Sequence, residues 1–146
     1  MSIYLTGASG FVGKNLISSF DKKVLIKKHV RDSEFLITQN TVIHLAGDRR
    51  VHGDWKSILE NNLIGIYNIY EAAKLHKVRR VVFASSQHAT GGNYDIEPYT
   101  FIDKGNYNLL PENYSPLDEK TRIRPDSYYG ASKVFGEAIG SYYSDY

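Results

Sequence analysis

The sequence predicts an α/β fold, a doubly wound parallel sheet covered by helices, and three observations carry that expectation. Short strand-like runs alternate with amphipathic helical ones. One of those runs, "RVVFAS" at 80 to 85, has a continuous apolar centre of β-branched and aromatic residues, as expected of a strand buried on both faces. A glycine-rich turn, "TGASGFVG" at 6 to 13, stands where the first strand gives way to the first helix. Parallel neighbours need crossover connections, and the intervening helices supply them.

Each element follows in order. "SIYLT" (2 to 6) reads as a strand, "FVGKNLISSF" (11 to 20) as a helix, "KVLIK" (23 to 27) and "TVIHLA" (41 to 46) as two further strands. A long helix then runs from Asp54, its N-cap, to His76. Its inward stripe is Trp55, Ile58, Leu59, Asn62, Ile66, Ile69, Tyr70 and Ala73 at helical spacing. Residues 91 to 127 hold all four prolines and read as a long loop. "SYYGASKVFGEAIGSYYSDY" (127 to 146) is the final helix. With 146 residues, 42% of them hydrophobic, the chain is expected to form one domain over 1–146 around a single core.

Composition removes several classes of function. Without cysteine there are no disulfides, thiolate nucleophiles or thiolate zinc sites, and no metal site is expected. The net charge of +2 is mild, and Lys and Arg are dispersed apart from "KKVLIKKHVR" (22 to 31) and "KVRR" (77 to 80), which argues against nucleic acid as a partner. No apolar run approaches the roughly 20 residues of a membrane span, and the N-terminus enters a strand-like segment at once. A cytoplasmic protein is the expectation.

In a doubly wound sheet, ligands lie beyond the carboxyl ends of the strands, so the residues found there matter most. After the first strand, Gly7 permits a tight turn, Gly10 lets a pyrophosphate approach the backbone, and Gly13 lets helix and strand pack closely. The N-terminus of the following helix offers N–H groups and partial positive charge to an anion. Taken alone, such a turn also serves packing only. After the third strand, "HLAG" (44 to 47) leaves room at Ala46 and Gly47 for a flat or sugar-like group. After "VVFA" comes "SSQH" (85 to 88), and "YYGASK" (128 to 133) places Tyr129 and Lys133 four residues apart on one helical face. A phenol with a pKa near 10 is a poor base at neutral pH, whereas an ammonium beside it stabilises the phenolate and lets it exchange a proton with a hydroxyl or carbonyl. A serine at the end of the neighbouring strand hydrogen-bonds the same oxygen. The four-residue Tyr/Lys spacing is common in solvated helices; its combination with the glycine turn, "HLAG" and "SS" is what gives it meaning.

These segments, "TGASGFVG", "VIHLAG", "NNLIGIYNIYEAA", "VVFASS" and "YGASK", in this order and over most of the chain, resemble the extended short-chain dehydrogenase/reductase family, the NAD-dependent epimerase/dehydratase group. Within it the sequence is most similar to uronate dehydrogenases, which oxidise a hexuronic acid at the anomeric carbon to a lactone. The resemblance implies a Rossmann-like fold and an oxidoreductase using NAD or NADP on a sugar or uronic acid. The alternatives are a nucleotide-sugar epimerase or dehydratase, and a non-catalytic dinucleotide-binding fragment. It implies Tyr129 as general acid/base, Lys133 as its electrostatic partner and ribose ligand, Ser86 as the second hydrogen bond to the reacting oxygen, and Asn62 as a structural or proton-relay group. Gly7, Gly10, Phe11, Val12, Gly13, Leu45, Ala46 and Gly47 would border the cofactor. His88 matches a substrate-contacting position, although a histidine there also serves structure. Gln87 binds substrate or caps the strand end, and Arg49, with Arg50, meets a carboxylate or stays solvated.

The departures are equally informative. The segment from Gly13 to His44 is short for the family, so an element there is expected to be reduced or absent. At the end of the second strand, where an acid would meet ribose hydroxyls, the chain has Lys27, Lys28 and His29, which suit the 2′-phosphate of NADP, while Asp32 keeps NAD open. The segment 93 to 115 looks inserted, as a lid or an interaction surface. The chain has about half the family's usual length and ends with the tyrosine helix; if nothing follows, "VVFA" becomes an unprotected apolar edge, and association is expected. Leu63, Ile64 and Tyr67, off the main stripe of the long helix, fit a dimer.

Overall fold

The computed structural model describes residues 2–20, 25–27 and 40–145. Four strands, β1 (Ser2–Thr6), β2 (Leu25–Lys27), β3 (Thr41–His44) and β4 (Arg80–Phe83), pair in parallel throughout in the order β2-β1-β3-β4. Tyr4 stands opposite Lys27 on one side and Val42 on the other, and Val42 in turn opposite Val81. The order reverses at β1, so a crevice opens beyond its carboxyl end, between β1 and β3. The doubly wound expectation holds.

Helix α1 (Phe11–Ser19) follows β1, and the long helix between β3 and β4 is built of three stretches: α2 (Trp55–Ile58), a π-helical turn (Leu59–Ile64) and α3 (Gly65–Leu75). Asp54 caps it, its carboxylate accepting from the Ser57 N–H at 2.9 Å. Ile58, Asn62, Ile66, Ile69, Tyr70 and Ala73 are buried as their spacing predicts. Trp55 departs from that stripe: it is exposed, and its ring leans on Tyr128 at 5.3 Å between centroids. In the core, Val42, Tyr4 and Ile69 pack together with Ala72, Val78 and Val81 around them.

Two strand expectations need correcting. β3 ends at His44 rather than Ala46, because the N–H groups of Leu45 and Ala46 turn to the Thr6 hydroxyl (3.2 and 3.1 Å). β4 is not buried on both faces. Phe83 packs beneath α5 (Tyr128–Ser144), where a Cβ on Gly136 would come within 2.3 Å of its ring. Val82, pointing to the opposite face, is 45% exposed. β4 is the outer strand of the described sheet, so its apolar composition reports a surface that has no described cover.

The loop at 91–127 carries short helices of its own: the 3-10 turns Gly91–Asp95 and Tyr107–Leu109 and helix α4 (Tyr99–Asp103). Its return segment lies on its outgoing one, with Arg124 N–H bonded to Ala89 O (3.2 Å) and Gly92 N–H to Arg124 O (2.7 Å). The loop thus delivers the chain to Ser127, which caps α5 by accepting from the Gly130 N–H at 2.9 Å. Among the described residues, no helix is long and apolar enough to cross a membrane.

Candidate active site

The glycine turn sits at the crevice. Gly7 has φ +70°, and a Cβ there would lie 2.8 Å from Leu45 C and Ala46 N, so both conformation and contact with the end of β3 require glycine. A Cβ on Gly13 would stand 2.4 Å from Gly7 O, so α1 can seat on the turn only without one. Gly10 differs. A Cβ there would press on Gly7 O at 3.3 Å and meet no other atom within 4 Å among the described residues, so the side away from Gly7 is open. Gly10 also caps α1 without a side chain, the first turn holds no acidic residue, and Phe11 and Val12 are exposed beside it. This is a surface suited to an anionic phosphate group.

Thr6, which sequence reasoning passed over, organises the floor. Its hydroxyl accepts from the N–H groups of Leu45 and Ala46, so its own proton goes to His44 Nδ1 at 2.7 Å. The remaining proton of the neutral imidazole is then on Nε2, which is buried and has no hydrogen-bond partner among the described residues. Burial, reinforced by the positive charge of Lys133, pushes His44 down to about 4. The only signal in the sequence was a threonine opening "TGASG" and a histidine closing the third strand.

Asn62 lies in the π-helical turn, fully enclosed. Its Oδ1 accepts from the Asp48 N–H (2.6 Å), and its Nδ2 donates to Asp48 O (2.9 Å) and to Ser132 Oγ (2.9 Å). It joins the loop after β3 to α5 one residue before Lys133, a structural clamp and not a group facing open space. Gly47, at φ +147°, passes so close that a Cβ would meet Asn62 Oδ1 at 3.1 Å. Asp48 is engaged further by Arg50 and Ser57, each at 2.5 Å, and their hydrogen bonds, Arg50 foremost, hold its carboxyl well below the usual range.

Lys133 is buried, and its ammonium donates to Ala84 O at 2.8 Å while lying 4.9 Å from the Phe83 ring and 5.3 Å from the Tyr129 ring. Burial lowers its pKa from the ordinary lysine value. Ala84 is two residues before Ser86, so this one bond joins the end of β4 to the tyrosine face of α5. Ser86 caps the short turn Gln87–Ala89, accepting from the His88 N–H at 3.3 Å. That turn touches α5 directly: the His88 ring meets the Tyr129 ring edge-on at 5.6 Å. Ser86, His88, Tyr129 and Lys133 are therefore brought together from β4 and α5. Gln87 is exposed beside them. Arg49 is exposed and makes no hydrogen bond or ion pair among the described residues, and Lys28, the residue assigned to cofactor phosphate, lies outside them.

The serine after β4 and the tyrosine and buried lysine of α5 lie together near the carboxyl end of β4, and the glycine turn follows the carboxyl end of β1 in the same parallel sheet. The profile of the NAD dependent epimerase/dehydratase family matches residues 3–146. The chain belongs to this family. Among its family relatives, an L-arabinose 1-dehydrogenase (NAD(P)(+)) of Haloferax volcanii is 35% identical over 98% of this chain and 61% of its own length. A uronate dehydrogenase of Pseudomonas putida is 35% identical over 73% of this chain and 32% of its own. A solved structure of a mutated uronate dehydrogenase superposes with a TM-score of 0.71 at 31% identity, covering 99% of this chain and 54% of that one. A uronate dehydrogenase from Agrobacterium tumefaciens, solved as a tyrosine-to-alanine mutant complexed with NAD, gives a TM-score of 0.70 at 26% identity, covering 99% of this chain and 56% of that one. The chain thus spans 61% of the arabinose dehydrogenase, 32% of the Pseudomonas uronate dehydrogenase, and a little over half of each of the two solved structures.

Proposed function

We propose that this family member carries the cofactor-binding and proton-transfer part of an NAD(P)-dependent oxidoreductase that oxidises an aldose or a uronic acid at its anomeric carbon. The observation that carries the reading is the placement of the buried Lys133 ammonium against Tyr129 while it is anchored to Ala84 O beside Ser86. In this role Tyr129 takes the proton of the substrate hydroxyl, Ser86 holds the same oxygen by a hydrogen bond, and Lys133 supplies the positive charge that favours the phenolate. Asn62 acts through Ser132 and Asp48, keeping the tyrosine helix and the floor of the crevice in register. The dinucleotide would lie on Gly7, Gly10, Gly13 and the Leu45–Gly47 edge, the first turn of α1 receiving its pyrophosphate; when bound, it supplies the hydride acceptor. The unfilled space at Gly10 and the uncapped start of α1 fit that group.

The unit responsible is the domain 1–146 with its loop at 91–127, and the setting proposed is cytoplasmic. We extend the proposal to self-association: Ile64 and Tyr67 are 46% and 47% exposed on one side of the long helix, an apolar face suited to a second copy. The deciding experiment follows reduced nicotinamide formation by absorbance, with NAD and NADP each paired with L-arabinose, glucuronate and galacturonate. Turnover with one of these sugars supports the proposal. Saturable NADH binding without turnover of any of them would reduce the chain to a dinucleotide-binding module.

A further inference from the structure

The pair His88 and Asp126 stands 38 residues apart in sequence and 2.6 Å apart in space, between His88 Nδ1 and Asp126 Oδ2. It is closely built. Asp126 Oδ1 accepts from the hydroxyl of Ser127, the residue that caps α5, at 2.8 Å, and the Asp126 N–H is bonded to His88 O at 3.4 Å. Two glycines make room for it: a Cβ on Gly91 would lie 2.1 Å from Asp126 Oδ2, and one on Gly130 would lie 2.2 Å from His88 O. Partial burial raises the Asp126 carboxyl, and hydrogen bonds from His88 and Ser127 more than offset this, so it stays ionised. An ionised carboxylate only accepts, so the proton in the bond belongs to His88 Nδ1. In the neutral ring Nε2 is then a bare acceptor; the ring's hydrogen bond to Asp126 is made by Nδ1. The ring that carries it meets Tyr129 edge-on at 5.6 Å.

We propose that Asp126 is a positioning residue: it locks His88 in the Nδ1–H form, so that Nε2 accepts a hydrogen bond from a sugar hydroxyl held next to the carbon that reacts at Tyr129. The proposal rests on the reading of Tyr129 given above and adds to it a requirement on the substrate, a hydroxyl donor at that position. Ser127 and the glycines give the lock its stiffness, since Asp126 cannot swing without disturbing the cap of the catalytic helix.

The test has two separable arms. In the first, the protein is labelled with nitrogen-15 in its histidines, with His88→Gln used to assign the signal. Wild type should show a protonated Nδ1 and a bare Nε2 at neutral pH, Asp126→Ala should move towards the Nε2–H form usual for free imidazole, and Asp126→Asn, which keeps one acceptor oxygen, should fall between them. A wild-type ring with Nε2 protonated, either as the other tautomer or as the imidazolium, overturns the proposal. In the second arm, Asp126→Ala should raise KM for L-arabinose about three- to ten-fold, in line with the loss of one hydrogen bond between neutral groups, and leave NADH affinity unchanged. Equal loss of NADH and sugar binding would mean that Asp126 serves the fold alone, which also overturns the proposal. If wild type turns over no sugar, the functional reading and the substrate role of His88 fall together, while the nitrogen signals still decide whether Asp126 sets the tautomer.

Discussion

The crevice beyond β1 and β3 and the outer flank of β4 belong to the same sheet and are built on opposite terms. At the crevice, polar side chains are held by several directed contacts each: Thr6 serves three partners, Asn62 three, and Lys133 reaches a backbone carbonyl and two rings. At the flank, Val82 is half-exposed and a groove of about 970 Å³ opens along β4 between α3 and α5, rimmed by Lys74, Lys77, Arg79 and Arg80. Groups that must hold a geometry are fixed by directional bonds and by glycines where no side chain fits. A surface meant only to be covered needs apolar area, and β4 supplies it without any local lock. Substitutions in the first region should therefore cost stability or chemistry in large steps, and those in the second should change little within the chain itself.

The largest effect is expected at Tyr129. Tyr129→Phe should lower turnover about a thousand-fold, the usual scale for losing a general acid/base, with NADH affinity and thermal stability close to wild type. Retained turnover would move the proton transfer elsewhere. Next comes Gly13→Val, whose side chain has to enter the space of Gly7 O and Ala8; a loss of about 3 kcal/mol or more is expected in urea unfolding. Gly10→Ala is its counterpart: stability within about 1 kcal/mol of wild type, but weaker NADH binding, because only the ligand would use that space.

His44 gives a pH effect of intermediate size. It is a base whose pKa falls on folding, from the ordinary 6.5 to about 4, so the unfolded chain binds more protons between those values. Its contribution to stability is complete above about pH 6.5 and declines as the pH falls towards 4, by an amount on the order of 3 kcal/mol. Unfolding measured across this window should show that slope in wild type and a shallower one in His44→Phe. The smallest effect is expected at the flank, where Val82→Lys should leave the unfolding midpoint within about 0.5 kcal/mol of wild type. A large loss there would show that the open face of β4 is part of the core after all.

What could be read from the sequence follows the same division. β1, β3, the glycine turn and the Tyr129/Lys133 pair were legible because each is a local pattern: an apolar run, a fixed glycine spacing, two residues on one helical face. The bonds from Thr6 to His44 and from His88 to Asp126 were not, because both partners are ordinary residues for their places and only the fold brings them together. The same limit explains Val82. An apolar run tells that side chains avoid water, not which layer will cover them. Residues 91–127 read as a plain loop because helices of three to five residues carry too few turns to show a period.

The π-helical turn at Leu59–Ile64 has a consequence for how this chain can vary in length. Its wider turn takes up an additional residue inside a helix anchored at both ends, by the Asp54 cap at one and by the packing of Ile66 and Ile69 on the sheet at the other. Removing one residue from it would let the helix return to ordinary winding with its two flanking halves still in register, because the wider turn covers the same rotation with one residue more. Ile66 and Ile69 would then stay in the core, and the change would fall on Asn62 inside the turn, which would turn away from Asp48 and Ser132. Along this stretch a single deletion should spare the core and cost the clamp between the floor of the crevice and the tyrosine helix.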